Sequence, residues 1–235
     1  MLELVFREIG MKTLLTLCLA LVLMSAPAVA APLNDFHNNS FQIDFGFSPT
    51  VAQTATSTSG AVTLPNVSEY SGNLTYAVAD FIALRLGATA LTNSMVQWNN
   101  TDTGVLGLTQ ANLQVVVNPS EYCQPFFGVQ YAVYNLPDQT GGNWKNLDYK
   151  QAGICGGVQL TLPLADLFLL NASGMYGTYY NSAYAGVALR LFGQLDVDAG
   201  YAYEYYNTAQ LNNLPVGAPN SITAQGMRLG VSLRL

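Results

Sequence analysis

Along this 235-residue chain, segment after segment places apolar side chains at every second position with small or polar residues between them. A β-strand turns successive side chains to opposite faces, so a period of two marks strands with one apolar face. The first segment carries Phe41, Ile43, Phe45 and Phe47 against Gln42, Asp44 and Gly46. Leu74, Tyr76 and Val78 follow, then Ile82 to Ala90 opposite Arg85, Gly87 and Thr89, then Ala111 to Val117 opposite Asn112 and Gln114. Further segments run through Phe127 to Val133, Ile154 to Leu162, Phe168 to Tyr176 and Val187 to Leu191. Leu195 to Tyr205 alternates with Asp196, Asp198, Gly200 and Glu204, and Met227 to Leu235 alternates with Arg228, Gly230, Ser232 and Arg234. That makes ten strands, with eight as the alternative if the segments around 168–191 are one hairpin fewer.

Their connections alternate in length. Residues 80–81, 118–123, 163–166 and 192–194 read as short turns, whereas 49–71, 92–107, 136–150, 177–183 and 207–220 read as longer loops rich in Asn, Thr, Ser, Gly and Pro. An even number of strands with short turns at one end and long loops at the other predicts an all-β, antiparallel, up-and-down transmembrane β-barrel. A soluble barrel or sandwich would turn its apolar face inward and cover its outer face with Lys and Glu. Charged residues are only 9% of this chain, and the face opposite the apolar stripe is Gly, Gln, Asn and Thr with isolated charges. That suits a polar lumen surrounded by lipid, because a closed sheet leaves no backbone group unpaired in the hydrocarbon. A net charge of -6 supplies no basic footprint for nucleic acid.

Met11, Lys12, the apolar stretch Leu14–Met24 and the small residues Ala28-Val29-Ala30 read as a secretory signal over residues 1–30, with Met11 as the true start and cleavage after Ala30. Residues 31–40 would then be a periplasmic tail and 41–235 the barrel of an integral outer-membrane protein. Aromatic residues cluster at the strand ends: Phe81, Tyr122, Phe126, Phe168 and Phe192 by the short turns, and Phe47, Tyr134, Tyr180, Tyr184, Tyr205 and Tyr206 by the long loops. They read as two interfacial girdles.

With these features the chain resembles the small outer-membrane β-barrel proteins of Gram-negative bacteria, of the OmpA-transmembrane and opacity-protein type. The resemblance is one of pattern over residues 41–235, and its sharpest local element is Arg228, Gly230, Leu233 and Leu235, which look like the family's C-terminal assembly signal with Leu where most members have Phe. It implies outer-membrane lipid and lipopolysaccharide as surroundings, and periplasmic chaperones and the barrel-assembly machinery as partners.

Enzymes among such barrels resemble one another in using a histidine base. The one histidine, His37, falls in the tail before the first strand, so no enzyme is expected. No His, Cys and carboxylate cluster has metal-ligand spacing, and no cofactor is expected. The candidate functional residues are charges on the lumen face: Asp44, Arg85, Arg190, Asp196, Asp198, Glu204, Arg228 and Arg234. Buried charges need partners, so Arg190, Arg228 and Arg234 should pair with the carboxylates of the neighbouring strand, and Asp44 should reach an arginine across the closure. Under this register Cys123 and Cys155 lie several residues apart along the strand direction, too far for a disulfide, so either none forms or the strands pair otherwise. Two functions fit: a structural barrel or narrow passive channel with a charged lumen, or a surface-binding protein whose loops, carrying Trp98, Trp144, Asp148 and Tyr149, contact a ligand.

Overall fold

The computed structural model describes residues 39–58, 60–92, 94–98, 102–120, 122–138, 145–165, 167–192, 194–212, 214 and 218–235. Residues 1–30, read from the sequence as a secretory signal, His37 and Trp144 lie outside them. Strands β1 (Phe41–Ser57), β2 (Gly60–Ala79), β3 (Ile82–Leu91), β4 (Ser94–Trp98), β5 (Asp102–Val117), β6 (Cys123–Asp138), β7 (Lys145–Pro163), β8 (Phe168–Gly177), β9 (Tyr180–Phe192), β10 (Leu195–Tyr206) and β11 (Ser221–Arg234) are joined by antiparallel pairings into one sheet. β3 and β4 follow one another along the same edge of β5, Ile82 opposite Val117 and Trp98 opposite Asp102, so the segments fill ten barrel positions. β1 pairs with β11 from Gln42↔Arg234 to Thr56↔Ser221, and β3 pairs with β5, which closes the ring. The ten-strand reading holds and the eight-strand alternative falls.

The apolar stripe faces outward. Phe45, Leu86, Leu113, Phe127, Val129, Ile154 and Leu229 are all exposed, while Arg85, Asn112, Gln114, Gln130 and Arg190 are buried inside. On β7 the lipid-type face runs from Ile154 to Leu162. These nine residues, eight steps of about 3.3 Å tilted by roughly 40°, rise about 20 Å, close to the height of the apolar band of such barrels.

The strands outrun the segments read as loops. β1 and β2 continue through 49–71 with only residues 58–59 between them, β4 and β5 occupy most of 92–107, and the expected loop 177–183 is a bend at Thr178-Tyr179. Beyond the lipid band both outer face and loop tips meet water, so the polar–apolar contrast that reveals a strand in sequence fades there. Only 207–220 connects as expected, with a 3-10 turn at Thr208–Gln210.

Two adjacent bulges mark this transition. β1 inserts one residue between Phe47 and Val51 against both neighbours, and β2 inserts one between Leu64 and Val67. Pro49 and Pro65 sit in them, where a missing N–H removes no ladder bond. Each bulge shifts the alternation by one: Gly46 and Ser48 point inward before the first, Val51, Gln53 and Ala55 after it.

Candidate functional site in the barrel interior

The interior has two storeys. At the turn end, β9, β10, β11 and β1 bring the inward residues of neighbouring strands into rows: Arg190 beside Asp196, Asp196 beside Ser232, and Ser232 beside Asp44. Asp196 accepts from Arg190 Nε at 3.3 Å and from Arg234 Nη2, a carboxylate between two guanidinium groups with all three largely buried. The other expected ion pairs do not form among the described residues. Asp44 accepts instead from Gln42 Nε2 at 2.7 Å and from the Ser232 hydroxyl. Asp198 takes the hydroxyl of Tyr184, and Arg228 lies over that ring, 5.5 Å from its centre. Arg85 on β3 donates from Nε to Thr75 Oγ1 at 3.3 Å and covers the Phe126 ring at 5.8 Å.

Small residues make the room for these groups. The Tyr184 ring spans Gly186 and Gly200, which face each other across β9 and β10. A Cβ at Gly230 would collide with the Asp198 carboxylate, and one at Gly46 with the Arg228 guanidinium. Between the polar walls lie two cavities of about 150 and 120 Å³ that share Asn73, Gln159, Ser173 and Arg228 in their linings.

At the loop end the interior is mainly apolar. Val51, Leu64, Leu91, Leu106, Leu108, Tyr134, Leu136, Tyr180, Tyr206, Leu211 and Ile222 belong to one buried apolar cluster. Tyr206 touches Tyr134 edge-on at 5.7 Å between ring centres and Tyr180 at 5.1 Å. At its lower face Glu204 accepts the hydroxyls of Tyr180 at 2.6 Å and Tyr206 at 2.5 Å, while Tyr134 donates to the Tyr179 carbonyl at 2.7 Å. Glu204 thus has tyrosines, not the expected arginines, as its closest partners. Glu69 and Arg228 are close enough to Glu204 to interact with it electrostatically.

Glu69 was absent from the sequence-derived set because 49–71 read as a loop, yet it keeps step with Ser71, Asn73 and Thr75, the inward residues of β2. The girdles need correction on the same ground. Phe126, Tyr134, Tyr180 and Tyr206 are buried inside the barrel and Tyr184 points into it, whereas Phe81, Tyr122 and Phe168 do face outward at the turn end. At the loop end Tyr205 faces outward, and Phe47 stacks on Tyr70 at 5.1 Å on the outer face. The charged part of the expected polar lumen is therefore gathered in the turn-end storey, with Glu69 and Glu204 at its upper limit.

Of the C-terminal set, Arg228 and Gly230 point inward while Leu235 is exposed and exchanges backbone hydrogen bonds with Phe41. Cys123 opposes Leu160, five positions along β7 from Cys155, and both thiols are free. Among the described residues no group of three or more His, Cys, Asp and Glu is placed to hold a metal.

No protein-family model and no curated protein sequence matches the chain. Solved structures do. The outer membrane protease OmpT from Escherichia coli superposes with a TM-score of 0.50 at 9% identity, over 83% of this chain and 97% of that one. The chain has the fold of the outer-membrane β-barrels. Others of this fold that it matches are Ail, the attachment invasion locus protein of Yersinia pestis (TM-score 0.42, 11% identity, 84% of this chain and 99% of that one), and the translocator domain of the autotransporter NalP from Neisseria meningitidis (0.45, 12%, 86% and 91%). At such identities the likeness concerns the fold alone.

Proposed function

We propose that the protein stands in the outer membrane as a closed barrel, a rigid scaffold that presents its loop-end hairpins to ligands outside the cell. The observation that carries this reading is the cluster of tyrosine and aliphatic side chains buried across the loop-end storey, Tyr134, Tyr180 and Tyr206 among them. Long hairpins on a stiff sheet are where recognition is usually placed. The test is single-channel recording from the folded protein in planar bilayers: the parent is expected to show no discrete steps, and trimming 139–144 to abolish ligand binding without disturbing the barrel. Steady conductance by the parent would overturn it.

A narrow channel is the second reading, favoured by the two linked polar cavities and their Asp196, Asp198, Arg228 and Arg234 walls. It expects discrete steps whose ion selectivity shifts in Arg228→Ala and Asp198→Ala.

A further inference from the structure

β7 stands higher than its neighbour. β8 pairs with it only from Pro163↔Leu169 up to Cys155↔Gly177, then bends away at Thr178-Tyr179, while β7 continues to Lys145 with β6 on its other side. The uppermost hydrogen bonds between the two among the described residues are those of Ile154, whose carbonyl accepts from the Thr178 backbone N–H at 3.0 Å and whose N–H donates to Thr178 Oγ1 at 3.2 Å. Ile154 therefore aims its backbone groups at the β8 side. By the period of two, so do residues 152, 150, 148 and 146 above it. No described strand pairs with this edge, and the side chains that stand on its outer face, Asp148, Lys150 and Ala152, are exposed. Open edges of this kind are templates for another strand.

The sequence of the edge says which strand. In an antiparallel pair, residues that aim both backbone groups at the partner oppose one another and exchange two hydrogen bonds. If a second copy of β7 is laid antiparallel about Tyr149, residue 148 opposes 150 of the other copy, 150 opposes 148, and 146 and 152 oppose each other. All of these are the outward-aimed, hydrogen-bond-competent positions, so the register satisfies the whole edge. The same register puts Asp148 against Lys150 twice, at the cross-strand distance where opposite charges stabilise and like charges repel. A parallel arrangement of two barrels side by side in one membrane would instead set Asp148 near Asp148 and Lys150 near Lys150.

We propose that the upper edge of β7 is a homophilic docking site, in which residues 146–152 of one barrel pair with the same residues of another. The twofold axis of such a pair lies across the strands, so the two barrels point in opposite directions. The contact joins facing membranes, not neighbours within one. Tyr149 lies about 17 Å along the strand from Ile154, at roughly 3.3 Å per residue, which holds the two bilayers close. Each pair is small, and many copies on each surface multiply it by avidity. The proposal rests on the scaffold reading above and specifies what its hairpins bind.

The test uses folded, full-length protein in phosphatidylcholine–phosphatidylglycerol vesicles, with clustering followed by turbidity and conductance recorded on the same preparation. Parent vesicles are expected to cluster. Lys150→Asp vesicles should stay dispersed, since carboxylates then meet at both pairs, and Asp148→Lys vesicles should stay dispersed for the converse reason. Mixing the two variants should restore clustering, because each then meets its complement. Ala152→Pro, which removes an edge N–H but no bond to β6, should weaken clustering with the barrel intact. Dispersed parent vesicles, clustering indifferent to Lys150→Asp, or no rescue on mixing overturns the homophilic edge and leaves the scaffold reading standing. Discrete conductance steps from the parent overturn the scaffold reading itself.

Discussion

In the turn-end half of the barrel, Leu86, Leu113 and Phe127 face out while Arg85, Asn112 and Gln114 face in; in the loop-end half, Thr109, Asp148 and Lys150 face out while Leu108, Leu136 and Tyr149 face in. The same sheet is thus an inside-out protein below and an ordinary one above. The cause is the solvent on the outer face. Where lipid surrounds the wall, apolar side chains gain nothing by turning inward, and the interior collects polar groups that must pair with each other. Where water surrounds it, the interior becomes the one place to bury apolar surface. The crossover falls at the level of the two bulges on β1 and β2; on β5, β6 and β7 it is made without any shift of register, by a change in which alternate positions carry the apolar residues.

Four substitutions break or sharpen this contrast. Tyr206→Ala opens a hole in the loop-end storey and should cost about 4 kcal/mol, as for other large buried aromatics, read as an earlier unfolding midpoint in guanidinium with the protein in vesicles. A loss below 1 kcal/mol would mean that the loop-end cluster is not a true core. Asp196→Ala, in the polar storey, leaves Arg190 and Arg234 without the carboxylate between them and should cost about 3 kcal/mol in the same assay. Repair by an apolar residue there would contradict the account of a paired polar interior. Leu86→Arg sets a charge on the lipid face and should cost about 2 kcal/mol in bilayers, but little in the yield of detergent-folded protein. Equal losses in both media would remove the argument from lipid. Arg228→Ala, which gives up a cation–aromatic contact and a charge near Glu69 and Glu204, should cost about 1 kcal/mol and lower the midpoint least of the set.

The ten strand positions were legible because lipid keeps one face apolar for five or six residues in a row, as from Ile82 to Ala90. The loop-end storey was less legible, though its signal was present. On β6 the apolar residues occupy odd positions from Phe127 to Val133, then even ones at Tyr134 and Leu136. That switch of parity announces a change of solvent. Assigning aromatics to girdles by their nearness to strand ends overlooks it: Tyr206 keeps step with Glu204 and Ala202, and Phe126 with Gln124 and Gln130, so both belong inside. Ion-pair partners were harder still. Adjacency in the sheet brought Arg190 and Arg234 to Asp196, but it could not show that Tyr184 would lie across two glycines and take Asp198, or that two tyrosines would claim Glu204.

The bulges at Pro49 and Pro65 act on this chain as a change of reading frame acts on a message. Everything distal to them in β1 and β2 is interpreted with the opposite parity, so the crown of that hairpin can be rewritten by substitution, or slid by one residue at the bulge, while the lipid belt below keeps its frame. A crown exposed to water and a belt fixed by an unchanging bilayer can then diverge at different speeds within one continuous strand.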